Sequence, residues 1–139
     1  METDLYFTSM LRNLDLRTRQ IRMAQAGHSN PAIRRADGSI RQKGPGGLPV
    51  GLIEQATYEE FTEVLRPGDH ILILSDGIPE AFNQSGAMLG ETRLCKLMQK
   101  LKSVQDLSFF ARLIHDMQCF SGSESFTDDI SNVLLEQRA

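Results

Sequence analysis

The chain has no tryptophan, two tyrosines and two cysteines in 139 residues. Cys95 and Cys119 lie in apolar, helix-like stretches without the close spacing of a zinc or redox pair, so they read as buried free thiols of a reducing compartment. No window approaches the run of about 18 apolar residues that a membrane-spanning helix needs. Met1-Glu2-Thr3-Asp4 lacks the basic and apolar regions of a signal peptide, and the expected location is the cytoplasm. Strong charge of one sign is also missing: the formal net charge is -3, so the molecule as a whole is not built to hold a polyanion. What is present is ordinary for a folded domain, with 40% hydrophobic and 24% charged residues. The length fits one domain, residues 1–139, with a real core.

Charge is unevenly spread. Between Asp15 and Lys43, Arg17, Arg19, Arg22, Arg34, Arg35, Arg41 and Lys43 face only Asp15 and Asp37 on the acidic side. Such an excess suits nucleic acid or an acidic partner. The interleaving with strand and turn signals instead predicts a solvated sheet face, and nucleic acid is not the expected partner.

Period-two alternation predicts a strand from Leu5 to Leu14 and another from Gln20 to Gln25, joined as a hairpin that ends at Ala26-Gly27-His28-Ser29-Asn30-Pro31. A second hairpin is expected over Ala32–Arg35 and Ile40–Gln42 around Asp37-Gly38. The glycine-rich stretch Gly44–Leu52 predicts a loop packed against backbone. Strands are expected at Thr57–Leu65 and His70–Leu74, the latter continuously apolar and hence central. A short helical turn at Pro79–Phe82 should precede two helices. Glu91–Leu101 carries the stripe Leu94, Leu97, Met98 and Leu101; Asp106–Phe120 carries Leu107, Phe110, Ala111, Ile114 and Met117. Ile130–Leu135 reads as a closing strand, giving an α+β order.

Two carboxylate positions carry chemical information. Asp76 follows the apolar strand and precedes Gly77, and Thr127-Asp128-Asp129-Ile130 enters the last strand. If that strand runs antiparallel beside His70–Leu74, Asp76 and Asp128 converge, and a hard divalent cation would relieve their repulsion. The spacing leaves two readings open: a metal site, or a turn residue at Asp76 with a cap or ion-pair partner at Asp128.

Six ordered blocks narrow the choice: Ala26–Pro31, Arg35–Gly38, Gly47–Leu52, Leu65–Asp69, Leu74–Ala81 and Thr127–Ile130. In order and spacing they resemble the SpoIIE/RsbU-type branch of the PPM, or protein phosphatase 2C-like, serine/threonine phosphatases, from about Leu5 to Leu135. The resemblance implies a layered αββα sandwich of antiparallel sheets flanked by helices, with a binuclear Mn2+ or Mg2+ site between the sheets. It implies hydrolysis of phosphoserine or phosphothreonine on a regulatory protein of the anti-sigma-factor antagonist type, in a bacterial signalling regulator often fused to a receiver or sensor domain. The metal ligands it implies are Asp76, Asp128 and the adjacent Asp129, with no catalytic residue beyond them. The block around His28 resembles a structural turn in which Ser29 replaces the usual Asn; His70 and His115 read as packing or surface residues.

The chain also departs from that pattern. Family members carry a further acidic Asp-Gly motif on their opening strands, and none precedes Asp37-Gly38 here. The expectation is therefore the C-terminal portion of such a domain, without its N-terminal strands and helices, incomplete and inactive alone, and prone to self-association through uncovered faces. The alternative is a non-catalytic phosphatase-like module that binds a regulatory protein. A nucleic-acid-binding domain resting on the basic excess is the weaker third reading.

Overall fold

A computed structural model describes residues 5–101, 107–126 and 129–138. The strands β1 (Ser9–Asp15), β2 (Gln20–Ala26) and β5 (Glu60–Val64) form a sheet in the order β1-β2-β5. A second sheet, ordered β4-β3-β6-β7, contains β3 (Ala32–Arg34), β4 (Ile40–Gln42), β6 (His70–Leu74) and β7 (Asn132–Glu136). All the ladders are antiparallel. The helices α1 (Gly90–Lys100) and α2 (Leu107–Ser121) separate β6 from β7.

Alternation in β3 and β6 sorts side chains into two cores. Ile33, Ile71 and Ile73 face the first sheet and pack with Ile21, Met23 and Leu65. Ala32, Leu72 and Leu74 face the helices and pack with Leu94, Met98, Phe109, Leu113 and Met117. The continuous apolar run of β6 is thus explained by burial on both faces, as its sequence predicts. Both helices lie on this second sheet; on the first, Leu11 remains 72% exposed and Val64 48%.

The structure differs from the sequence reading at several points, the first being that β1 begins at Ser9 and not at Leu5. The fifth strand is shorter than Thr57–Leu65, and the last begins two residues later than Ile130. Pro79–Phe82 is not a helix: residues 76–80 form turns closed by the Ile78 amide to the Ser75 carbonyl (3.3 Å), the Glu80 amide to the Asp76 carbonyl (3.0 Å) and the Ala81 amide to the Ile78 carbonyl (3.2 Å), and Phe82 is already bridged to Met88. The buried stripe of α2 is Phe109, Leu113 and Met117, while Ala111 is exposed and Phe110 and Ile114 are half-buried. Asp106 lies outside the described residues. Cys95 is half-buried and Cys119 exposed, so both are free thiols but neither is a core residue.

The largest correction concerns the basic segment. Arg34 is buried, donates to the Leu101 carbonyl at 3.1 Å, and lies 5.7 Å from the centroid of the Phe109 ring. It is in register with His70, which is in register with Glu136, so a polar row crosses β3, β6 and β7 beneath the helices. Arg17, Arg19 and Arg22 are exposed, as a solvated face requires, and Arg41 and Lys43 are partly so, but Arg35, Arg41 and Lys43 are engaged by one carboxylate. All three converge on Glu63 of β5: Arg41 Nη2 at 2.7 Å, Lys43 Nζ at 2.7 Å, and Arg35 through Nη2. Arg35 also donates to Asp69 at 2.7 Å, and Asp69 accepts from the Arg66 and Ala36 amides at 2.9 and 3.0 Å. A carboxylate only 5% exposed needs such partners, and Glu63 finds them on the opposing sheet.

This arrangement fixes the direction of the pH response. Burial alone would raise Glu63, but hydrogen bonds from Lys43 and Arg35 outweigh it and lower its carboxyl. Asp69 is lowered in the same way, burial being outweighed by the Arg66 amide and the Arg35 guanidinium. His70 is lowered by burial and then by Arg34. Lowered groups bind fewer protons folded than unfolded, so all three make stability fall on acidification. Denaturant midpoints should decline in two stages, first below about pH 6.5 from His70 and again below about pH 4 from the carboxylates. Glu63→Gln should cost about 2 kcal/mol at neutral pH, moderated by the exposure of Arg41 and Lys43, and should blunt the second stage alone.

Candidate functional site

At the C-terminal end of β6 the ladder with β7 continues beyond its last paired residues. Leu74 pairs with Asn132, and the Ser75 amide donates to the Ser131 carbonyl at 2.9 Å. The Ser75 hydroxyl donates to the Asp129 carbonyl at 3.2 Å and accepts from the Ser131 amide at 3.0 Å. Gly77 then passes so close to the incoming strand that a Cβ would lie 2.7 Å from the Asp129 carbonyl oxygen. The Asp-Gly pair is therefore required by a close backbone approach, and it holds Asp76 half-buried beside the segment that leads into β7.

The second support comes from the other sheet. Ser29 lies in the turn between β2 and β3, and its hydroxyl donates to Asp76 Oδ1. That turn is anchored by Gln25, 1% exposed, whose Nε2 donates to the His28 carbonyl and to Asn30 Oδ1 at 2.9 Å. Gln25 Oε1 accepts from the Gly46 amide at 3.2 Å, tying in the glycine-rich loop. Gly27, at φ +67°, presses against Pro49 so closely that a Cβ would meet the ring at 2.7 Å. One buried amide side chain therefore positions the residue that orients Asp76.

Of the sequence-predicted ligands, Asp76 sits in this site and Asp129 is exposed at its edge, with its main chain bonded to Ser75. Asp128 lies outside the described residues. The antiparallel pairing of β6 and β7 on which their convergence depends is present. His28 belongs to the anchored turn, its Nδ1 3.0 Å from the Ser29 carbonyl. His70, buried, donates from Nδ1 to the Gly68 carbonyl at 3.0 Å, at the other end of β6. His115 is exposed on α2, its Nδ1 3.9 Å from Cys119 Sγ. Sequence reading missed Ser29 and Gln25; the signal was the polar Ser29 at a turn joining the two sheets, without which its 47-residue reach to Asp76 is invisible.

The donors at this end are oxygen, which suits Mg2+ or Mn2+ and not a thiolate-seeking ion. Among the described residues no three His, Cys, Asp or Glu side chains gather as a metal-holding group. Asp76 is the carboxylate held at this strand end, and the Ser29 hydroxyl is the side chain that orients it.

A sequence model of the family described as stage II sporulation protein E (SpoIIE) matches residues 1–138. The phosphoserine phosphatase RsbU of Bacillus subtilis (strain 168) is 25% identical over 116 residues, covering 76% of this chain and 34% of its own length. The PP2C domain of SiaA from Pseudomonas aeruginosa superposes with a TM-score of 0.80 at 19% identity, over 94% of this chain and 51% of that one. The phosphatase domain of SpoIIE from Bacillus subtilis, presoaked with Mn, gives a TM-score of 0.70 at 21% identity, over 95% of this chain and 56% of that one. The chain thus spans about a third of the length of the curated relative RsbU and about half of these solved chains. The sandwich of two antiparallel sheets with helices is the PP2C-type fold, as the motif resemblance implies.

Gly77→Ala should open the β6–β7 junction, because the new methyl has backbone and not a flexible side chain in its way. Faster hydrogen exchange at the Ser75 and Ser131 amides is expected, with about 1–3 kcal/mol of lost stability.

Proposed function

The chain belongs to the SpoIIE family, and from that premise we propose that it forms part of a metal-dependent protein serine/threonine phosphatase of a bacterial signalling regulator. The substrate is phosphoserine or phosphothreonine on a regulatory protein of the anti-sigma-factor antagonist type. Support for the reaction class comes from the relative RsbU, a phosphoserine phosphatase, and support for the metal from the Mn-presoaked structural neighbour.

The observation that carries the reading is the placement of Asp76. A carboxylate is fixed at a strand end by a hydroxyl from one sheet and by a glycine-dependent backbone contact within the other. An aspartate needed only to start a turn would not require both. Asp76, Asp128 and Asp129 would hold Mn2+ or Mg2+ as oxygen ligands, two ions in the complete domain. A bound divalent ion supplies a water acidified enough to attack phosphorus and offsets the charge on the phosphoryl oxygens. The chain's own part is to aim the carboxylates: Ser29 fixes the rotamer of Asp76, Gln25 fixes Ser29, and Ser75 pins the main chain before β7. No residue of the chain becomes phosphorylated in this scheme.

In the complete protein, hydrolysis of a phosphoserine protein should require Mn2+ or Mg2+, vanish with a chelator and return on readdition. Asp76→Asn and Asp128→Asn should each lower kcat/KM by about 100-fold or more, and Ser29→Ala by about tenfold, because it disturbs orientation rather than ligation. Unchanged activity in both aspartate variants, or activity indifferent to metal, would overturn the reading. Binding of the regulatory protein without any turnover would leave the chain a phosphatase-like interaction module.

A further inference from the structure

Beside Gly77 lies a cavity of about 190 Å³ whose walls include Ala81, Phe82 and Phe126, with Ser123 and Ser125 at its rim. Its size separates it from pockets that enclose whole small molecules, which run to about 300–1,000 Å³. One amino-acid side chain is the occupant such a volume admits. Gly77 places the cavity next to Asp76, so an occupant would be only a residue or so from a group reacting there.

The aromatic wall is unusual in being both exposed and rigidly held. Phe82 is 56% exposed and is bridged to Met88, itself 49% exposed. Between them the chain makes a tight turn around Asn83, whose Oδ1 accepts from the Ser85 amide, the Ser85 hydroxyl and the Ala87 amide at 3.1, 2.7 and 2.8 Å. The Asn83 amide also donates to the Ala87 carbonyl at 2.9 Å. Gln84 of the turn reaches toward the Gly122 carbonyl at 3.5 Å, and a Cβ on Gly122 would collide with its side chain. The turn thus fixes the main chain that carries Phe82 and sets it beside the Gly122 loop, which lowers the backbone ordering left for binding. The serines bond to one another, Ser123 Oγ lying 3.1 Å from Ser125 Oγ, and Ala81, Phe82 and Phe126 supply the apolar part of the lining.

We propose that this cavity is a specificity subsite that receives an apolar side chain flanking the phosphorylated serine or threonine of the protein substrate, with Phe82 as its principal contact. The inference rests on the phosphatase reading above. It makes the enzyme selective for phosphorylated serines or threonines with an apolar neighbour, and it assigns that selectivity to a residue that touches neither metal nor phosphate.

The test uses two synthetic phosphoserine peptides that differ only in carrying Leu or Gly on each side of the phosphoserine, together with their unphosphorylated forms, titrated into the chain with Mn2+ and followed by NMR. The Leu phosphopeptide should bind about tenfold more tightly than the Gly one, the order expected for a partly buried leucine, and should shift the Phe82, Gly122 and Phe126 signals. Phe82→Ala should bring the ratio close to one without weakening the Gly phosphopeptide, and Phe82→Leu should restore most of the preference. Equal binding of both phosphopeptides to the parent chain, or a preference that survives Phe82→Ala, would overturn the subsite while leaving the phosphatase reading standing. A Phe82-dependent preference that ignores the phosphate would detach the cavity from the phosphate-bearing residue and overturn the subsite. No binding by any peptide would also overturn it, as would a change in self-association of Phe82→Ala without any peptide preference, which would assign the patch to a second copy.

Discussion

Glu63 is the point at which the two sheets are obliged to meet. It stands on β5, its cationic partners Arg35, Arg41 and Lys43 belong to the β3–β4 hairpin and its flanks, and the guanidinium of Arg35 continues to Asp69 at the entry to β6. Glu63 and Asp69 are the buried members of this group, and the cost of leaving either carboxylate without its cations holds the group together. Hydrophobic contact between Ile21, Met23, Ile33 and Ile71 would tolerate sliding of one sheet over the other. The ionic group does not, because its bonds are directional.

That constraint acts at the beginning of β6, and the candidate site lies at its end. The strand is buried throughout and paired on both edges, so it serves as a stiff rod with an electrostatic anchor at one tip and Asp76 at the other. The Ser29 hydroxyl closes the remaining freedom from the opposite sheet. The site thus needs no dedicated scaffold; it is where two sheets, already fixed in relation to one another, bring a turn and a strand end together. Function is placed at a loop, as is usual, but the loop is pinned by a buried glutamine rather than left to solvent.

Much of this was legible in advance. Period-two alternation located the first hairpin and the Asp37-Gly38 turn the second, and the uninterrupted apolar run of β6 announced a strand buried on both faces. Motif resemblance drew attention to Asp76, which the structure places half-buried at the end of β6, while Asp128, named with it, lies outside the described residues. The failures share a cause: local patterns carry no information about what a residue meets from far along the chain. Arg34, Arg35, Arg41 and Lys43 look like surface residues until Glu63 and Leu101, distant in sequence, are brought beside them. Phe109 and Leu113 lay outside the predicted stripe of α2 because a helix with Leu107, Phe109, Phe110, Leu113 and Ile114 offers two competing apolar faces, and only docking on the sheet chooses between them. Ser29 was visible as a deviation from a familiar turn, yet its partner was not.

Because β3 and β6 form a wall with a separate core on either side, residues adjacent in sequence are strangers in packing. Ile71 and Ile73 answer to the first sheet, while Leu72 and Leu74 answer to the helices. Tolerance to change along this strand should therefore be read in two interleaved registers. Drift at one position constrains the next but one far more than its immediate neighbour, and the two halves of the interior are free to vary on separate clocks.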